Sequence, residues 1–439
     1  MVYYISISTF LGVMEEHSLK KLTAFLIAAF ILSSNLAVFA APPQVSAPAA
    51  ILIDSESGRV LYEKNADAKM YPASTTKVMT GLLASEYKNL DEQVTASPNV
   101  VKIERGSSQI YINPGEILTM RQLLYALMLP SANDAAIAIA EHLGGSIDGF
   151  VTLMNERAQN LGAVNTHFVN PNGLHDDNHY TTARDLSIIA REGMKNPIFR
   201  EIVGTFQYVI PATNKQVERN YLTNGNKLIS KVNNKYKYEY AIGIKTGYTT
   251  KSEHCLVGGA KKDNLELISV VLGDSKDFMY PDSIALFEYG FANFKKLEIL
   301  KKDMIVTTVN IENGDRKLNL LATEDYLLTG KEEELEEIQK TKIITQNKDI
   351  KAPVKKGDII GTVSYSIDNK IQRNINLVAE EDVLSTRILD KFAEANKKTK
   401  WWQIALIVVV LFLAWRTMVT YRNIKRRKRG LYLDRRKRY

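Results

Sequence analysis

The hydrophobic positions of this chain change period several times along its length, and each change marks an element. Val78 and Leu82 recur at i, i+4, as do Met79, Leu83 and Tyr87, so the spacing predicts a helix over 74–87, opened by Pro72. Helical spacing returns over 118–129, 134–143, 147–161 with Ser146 as its cap, and 182–194 with Thr181 as its cap. Ahead of these helices, the runs 50–54 and 59–63 flank Ser55-Glu56-Ser57-Gly58 and predict a hairpin. Behind them, strands are predicted at 241–246, 254–260 and 265–272, followed by an amphipathic helix at 280–294. Strands at both ends with helices between them predict one antiparallel sheet built from distant segments, with helices on its faces: an α/β (α+β) domain over 41–295.

Past residue 295 the texture changes. Short alternating runs at 304–311, 317–322, 359–365 and 371–378 are separated by Asn-Gly, Lys-Gly and Asp-Asn turns, which predicts a small all-β domain over 296–386 with no catalytic constellation of its own. A linker at 387–400 leads to an apolar run, Trp401 to Trp415, broken only by Gln403. Those fifteen residues reach about 22 Å as a helix, short of a hydrocarbon core of about 30 Å. Extending the span over 401–421, with Arg416 snorkelling, makes a transmembrane anchor of adequate length. A helix lying in the membrane interface is the alternative. At the other end, Lys20 and Lys21 precede an apolar stretch that closes on Val38-Phe39-Ala40 before Ala41-Pro42-Pro43. Residues 1–40 thus read as a secretory signal peptide cleaved after Ala40, with Met14 as an alternative initiator and an uncleaved anchor as the alternative fate.

Charge sharpens the membrane reading. The balance of 57 Lys and Arg against 49 Asp and Glu gives +8 over 439 residues, but residues 416–439 alone hold eleven basic residues and one acid, Asp434. The excess lies in a tail after an apolar segment, so 422–439 reads as a cytoplasmic basic tail, and nucleic-acid binding is disfavoured. Cys255 is the single cysteine, so no disulfide forms within the chain. His175, Asp176, Asp177 and His179 have ligand-like spacing, yet they follow an Asn-Gly turn with no third ligand in view, so loop polarity is preferred over a metal site.

The candidate chemistry lies at the start of the first helix. A serine at a helix N-terminus sits beside unpaired amides that favour developing negative charge, and Ser74 occupies that place in Pro72-Ala73-Ser74-Thr75-Thr76-Lys77. Lys77, one turn on, can act as a neutral base if it is withdrawn from water. The spacing alone is cheap, since Ser18 and Lys21 repeat it. Two further groups add weight: Ser131-Ala132-Asn133, presented after the helix-breaking Pro130, and Lys245-Thr246-Gly247, which occurs once.

Ser-x-x-Lys, Ser-x-Asn and Lys-Thr-Gly in this order resemble the three motifs of the penicillin-binding protein and serine β-lactamase superfamily. The chain is more closely similar to a low-molecular-mass penicillin-binding protein, a serine-type D-alanyl-D-alanine carboxypeptidase, from about residue 49 to 383. Further matching stretches are Asn170-Pro171-Asn172-Gly173-Leu174, Tyr289-Gly290-Phe291 and Ala352-Pro353-Val354-Lys355-Lys356-Gly357-Asp358. The resemblance implies a DD-peptidase/β-lactamase-like fold, with the site between sheet and helical cluster. It implies that Ser74 attacks the carbonyl between two terminal D-alanines of a peptidoglycan stem peptide while Lys77 takes its proton, and that Ser131 relays the proton to the leaving amine. Asn133 would bind the substrate's backbone amide. Lys245 would attract the terminal carboxylate, helped by Thr246 and Thr249, and would lower the pKa of Lys77. The amides of Ser74 and Tyr248 would form the oxyanion hole, and Gly247 would let the strand approach closely. No metal or organic cofactor is implied, β-lactams would be covalent inhibitors, and the catalytic domain would sit on the outer side of a bacterial cell membrane.

Two departures stand out. Ser252-Glu253 replaces an expected Ala-Gly, setting an acid near an anionic substrate, and Met279-Tyr280 stands where an arginine is common, so carboxylate recognition is expected either to be weaker or to be supplied by Arg184 or Arg219. An endopeptidase, or an idle wall-binding scaffold, would carry the same motifs. A β-lactamase is disfavoured because 160–180 offers Asn170-Pro171-Asn172 and no deacylating acid.

Overall fold

The computed structural model describes residues 41–435, apart from 233, 348–349, 368–369, 388–390 and 392–400. The signal peptide expected at 1–40 lies outside the described residues, as does most of the linker expected at 387–400. The chain forms two compact units, one running to residue 296 and including 329–332, the other made of 297–328 and 333 onward.

In the first unit the strands are β1 (Ala49–Asp54), β2 (Val60–Lys64), β3 (Gln93–Thr95), β4 (Ile117–Thr119), β5 (Gln207–Ile210), β6 (Arg219–Thr223), β7 (Ala241–Thr249), β8 (Glu253–Lys262) and β9 (Leu265–Asp274). The helices are α1 (Lys77–Ser85), α2 (Met120–Met128), α3 (Asn133–Gly144), α4 (Ile147–Leu161), α5 (Ala183–Lys195), α6 (Pro197–Gly204) and α7 (Met279–Asn293). Five strands form an antiparallel sheet in the order β2-β1-β9-β8-β7, which joins residues far apart in sequence, as the pattern predicts.

Strand alternation assigns each sheet residue to a side. Ala49, Ile51 and Ile53 of β1 face a large core shared with α1 to α6, whereas Ala50 and Leu52 face a second core shared with Leu286 and Phe287 of α7. Both faces of β1 are therefore covered, which is why the strand reads as an unbroken buried run. β7 ends the sheet, so one of its edges has no sheet partner and is available to the site.

Several boundaries differ from the sequence reading. The predicted 74–87 helix opens with a 3-10 turn, Ala73–Thr76, because the Thr75 amide and hydroxyl both donate to the Pro72 carbonyl, at 3.2 and 2.6 Å. Residues 117–119 are strand, and a capping box between Thr119 and Gln122 starts α2 at Met120. Thr182 caps α5, accepting from the Asp185 amide at 3.0 Å, whereas Thr181 is bonded to Thr166 at 2.8 Å. Ser146 caps α4 as expected. The unpredicted α6 follows an Asn196-Pro197 cap, with the Asn196 carboxamide oxygen accepting from Ile198 and Phe199 amides.

The second unit holds β11 (Ile305–Asn310), β12 (Lys317–Ala322), β14 (Ile343–Gln346), β15 (Ile359–Ile367) and β16 (Lys370–Ala379) in one antiparallel sheet, ordered β11-β12-β16-β15-β14. β10 (Lys295–Leu300) and β13 (Tyr326–Gly330) pair separately. One short helix, α8 (Glu334–Lys340), joins the expected strands and contributes Ile338 to their core. After it, α9 (Trp401–Arg435) contains a stretch, Trp402–Arg427, long and apolar enough to cross a membrane.

Candidate active site

Ser74 lies in the 3-10 turn ahead of α1, where Pro72 and the left-handed backbone of Ala73 (φ 47°) turn the chain sharply from coil into helix. Lys77 opens α1 and is fully buried. Its Nζ lies 2.9 Å from Ser74 Oγ, 2.7 Å from Asn133 Oδ1 and 2.7 Å from the Asn172 carbonyl oxygen. Burial drives the Lys77 pKa well below its ordinary value, the nearby charge of Lys245 lowers it further, and Asp134 opposes both.

The other groups arrive from three elements. Asn133 is the first residue of α3, and its amide donates to the Ser108 carbonyl at 2.8 Å, tying the helix start to a loop that walls the cavity. Ser131 sits in the turn before it with φ 68°, and its buried Oγ has no hydrogen-bond partner among the described residues. β7 supplies the third wall. Its Lys245 is 2 % exposed and donates to the Thr246 carbonyl at 3.0 Å, and burial pushes its pKa down to about 7. A Cβ at Gly247 would come within 2.9 Å of the Thr75 nitrogen and 3.0 Å of the Ser74 nitrogen, so only glycine lets this strand lie against the nucleophile turn. Tyr248 follows Gly247 in β7 and lines the same cavity as Ser74.

Together these elements enclose a cavity of about 660 Å³ whose lining includes Ser74, Ser131, Asn133, Thr246, Tyr248 and Thr249. The Thr249 hydroxyl lies 2.7 Å from Ser252 Oγ, so it also braces the β7–β8 turn. Lys77 and Lys245 lie beneath the lining rather than in it.

Glu253 occupies the left-handed position of the β7–β8 turn (φ 54°) with an exposed side chain, and it does not line the cavity. Arg184 is bound to Asp67 and Glu63 on the surface, at 2.8 and 2.5 Å. Arg219 is buried against Glu116 at 2.7 Å. Neither arginine reaches the cavity, so the expectation that one of them assists carboxylate binding is corrected: both are committed to acids elsewhere. Arg105, Lys227, Lys251 and Lys276 are the Lys and Arg side chains in its lining that have no ion pair among the described residues.

Sequence reasoning missed the second support of Lys77. The 170–174 loop presses against the nucleophile turn so closely that a Cβ at Gly173 (φ 86°) would lie 1.8 Å from the Ala73 carbonyl oxygen. The loop is held by Asn170 and Asn172, whose carboxamide oxygens accept from the Gly173 and Leu174 amides at 2.7 and 3.0 Å. His179, read as loop polarity, is buried against Thr76. Asn-Pro-Asn-Gly was the available signal, but a backbone carbonyl acting as a lysine's acceptor has no side-chain signature.

An antiparallel sheet with a helical cluster on one face and, at the sheet's edge, a cavity-lining serine bonded to a buried lysine defines a penicillin-binding-protein fold. Residues 37–276 match the D-alanyl-D-alanine carboxypeptidase family of S11 peptidases, and 294–385 match the C-terminal domain of penicillin-binding protein 5. The chain is 34% identical over 346 residues to D-alanyl-D-alanine carboxypeptidase DacF of Bacillus subtilis (strain 168), covering 77% of this chain and 86% of that one. It is 32% identical over 396 residues to DacA of Escherichia coli (strain K12), covering 85% and 93%. Penicillin-binding protein 5 from Haemophilus influenzae superposes with a TM-score of 0.63 at 30% identity, over 79% of this chain and 100% of that one. The DD-transpeptidase of Streptomyces K15 superposes with a TM-score of 0.54 at 35% identity, over 58% and 100%. The chain belongs to the D-alanyl-D-alanine carboxypeptidase family and is a serine-type D-Ala-D-Ala carboxypeptidase of the low-molecular-mass penicillin-binding proteins.

Proposed function

We propose that this enzyme removes the terminal D-alanine from peptidoglycan stem pentapeptides through an acyl-enzyme on Ser74, and that β-lactams inhibit it by acylating the same oxygen. The observation that carries this reading is the three-way coordination of Lys77. A neutral amine has two protons and one lone pair. Asn133 Oδ1 and the Asn172 carbonyl can only accept, so they take the two protons and leave the lone pair facing Ser74 Oγ at 2.9 Å. Lys77 then removes the Ser74 proton as the oxygen attacks the carbonyl carbon. The amides of Ser74 and Tyr248 stabilise the oxyanion, and losing one such donor costs on the order of 3 kcal/mol. Ser131, whose hydroxyl is unengaged, passes the proton to the departing D-alanine amine. Asn133 binds the substrate amide, and Lys245 with Thr246 and Thr249 holds its carboxylate. Gly247 keeps β7 close enough for both, and water then hydrolyses the ester.

We further propose that residues 1–40 export the chain, that 41–295 and 296–386 are its catalytic and β domains, and that 387–400 link them to a membrane anchor at 401–421. The basic tail at 422–439 then stays in the cytoplasm, and catalysis is held at the outer face of the bacterial membrane. The apolar stretch Trp402–Arg427 followed by basic residues supports this orientation.

The test uses the purified full chain in detergent, with Ser74→Ala beside it, on a pentapeptide muropeptide and on a cross-linked dimer, with products read by mass spectrometry. Loss of one alanine from the pentapeptide, blocked by penicillin and reduced at least ~10³-fold in the variant, is the expected result. Cleavage of the dimer alone would move the assignment to endopeptidase. Inertness toward both would leave a wall-binding scaffold.

A further inference from the structure

His179 is 1 % exposed and is bonded through both ring nitrogens. Nδ1 accepts from the Val169 amide at 3.0 Å, and Nε2 lies 2.8 Å from Thr76 Oγ1. A ring nitrogen that accepts an amide proton carries none of its own, so the neutral imidazole bears its proton on Nε2 and donates it to Thr76. Burial holds the ring well below its ordinary pKa, at about 4, so it remains neutral near neutral pH. The charges acting on it are Asp176, which opposes the shift, and His167, His175 and Lys77, which add to it.

The two partners are the two backbone segments that pack around the Lys77 amine. Thr76 ends the nucleophile turn and precedes Lys77. Val169 begins the loop whose Asn172 carbonyl accepts from Lys77. A second tie, from Thr80 Oγ1 to the Pro171 carbonyl at 2.6 Å, joins the same loop to α1 one turn further on. We propose that His179 is a positioning residue for the Ser74–Lys77 pair: it clamps the 169–174 loop onto the nucleophile turn and so keeps the Lys77 amine fixed and dry. This rests on Lys77 acting as the base. The imidazole touches neither substrate nor reacting atom, and it acts only through Thr76 and the loop.

Two conservative variants separate its two bonds. Glutamine carries an amide nitrogen about where Nε2 sits, so His179→Gln can still donate to Thr76. Asparagine carries an oxygen about where Nδ1 sits, so His179→Asn can accept from Val169 but leaves Thr76 unbound. The measurement is kcat and kcat/KM for D-alanine release against pH, with Tm for each protein. Desolvation is the largest influence on Lys77, and Lys245 and Asp134 are the charges that face it, so loosening the clamp admits water and moves the acid limb upward. His179→Asn is expected to lose about tenfold or more in kcat with KM nearly unchanged, and to shift the acid limb up by at least about half a pH unit. His179→Gln keeps the Thr76 bond but leaves the Val169 amide without its acceptor, so it also opens the clamp and is expected to lose kcat and raise the acid limb in the same direction as His179→Asn. Losses of Tm in both variants with the acid limb unmoved would overturn the proposal, as would parent-like kcat and acid limb in both. A parent protein that releases no D-alanine would instead overturn the assigned reaction, and this inference with it.

Discussion

Lys77 and Lys245 are both buried; the charge of Lys245 makes that of Lys77 harder to hold, and burial makes the charge of Lys245 harder to hold. The proposed acyl transfer needs the first neutral and the second charged. The value of kcat/KM should therefore rise with pH as Lys77 loses its proton and fall as Lys245 does, near pH 7 in the empty site. A bound carboxylate favours the charged form of Lys245, so the alkaline limb of kcat should lie above that of kcat/KM. A pH-rate series on the pentapeptide would show both limbs, and coincident alkaline limbs would count against a carboxylate at Lys245. Lys245→Gln should move the acid limb upward, because the neighbouring charge that lowers Lys77 is gone, while raising KM by roughly tenfold or more. The candidate side chains that the structure brings together were legible in the sequence because Ser74, Lys77, Ser131, Asn133 and Lys245 carry their chemistry on their own atoms. Asn172 and His179 were not. One works through a backbone carbonyl, and the other is a histidine whose burial no local pattern announces.

Among the elements, the junction of the segment before β1, the end of β9 and α7 is sensitive to acid in the opposite sense to most carboxylate sites. Ser46 Oγ lies 2.9 Å from Asp274 Oδ1 and 3.0 Å from Asp282 Oδ2, and the Ala47 amide donates to the same Asp282 oxygen at 3.0 Å. One hydroxyl proton cannot serve two carboxylates, so the cluster is best satisfied when one acid is protonated. Burial first, and then the charge of Asp282, push Asp274 up to about 6. A folded-state pKa above the unfolded value means the contribution to stability is present below about pH 4 and is lost as pH rises through about 6. Asp274→Asn keeps the acceptor and adds a donor toward Asp282, mimicking the protonated acid. It should raise stability by about 1–2 kcal/mol at pH 8 and by almost nothing at pH 4, measured by thermal unfolding at both. Elements with a sustained period were legible, including the sheet strands and α3, α4 and α7. The opening of α1 was not, because a 3-10 turn keeps the apolar spacing of a helix while changing its hydrogen bonds. β3 to β6 were lost for a different reason: strands of three to five residues are too short for period 2 to show.

For the molecule as a whole, the apolar stretch Trp402–Arg427 of α9 is exposed all round, and no helix or sheet among the described residues covers it. The full chain should sediment with lipid vesicles, and a chain ended before Trp401 should remain in solution with unchanged D-alanine release per molecule. Loss of activity on that truncation would show that the helix does more than tether. The sheet order has a consequence in time. Ser74 is synthesised 200 residues before Asp274, yet β1 pairs with β9, and the wall carrying Lys245 is held to the sheet only through β8 and β9. At about 5–20 residues per second, the nucleophile exists for roughly 10–40 s before the strand that completes its surroundings has been made. A ribosome-bound chain that has not yet reached β9 thus carries this serine without the sheet behind it, and the enzyme's working life begins only once nearly the whole first unit has been built.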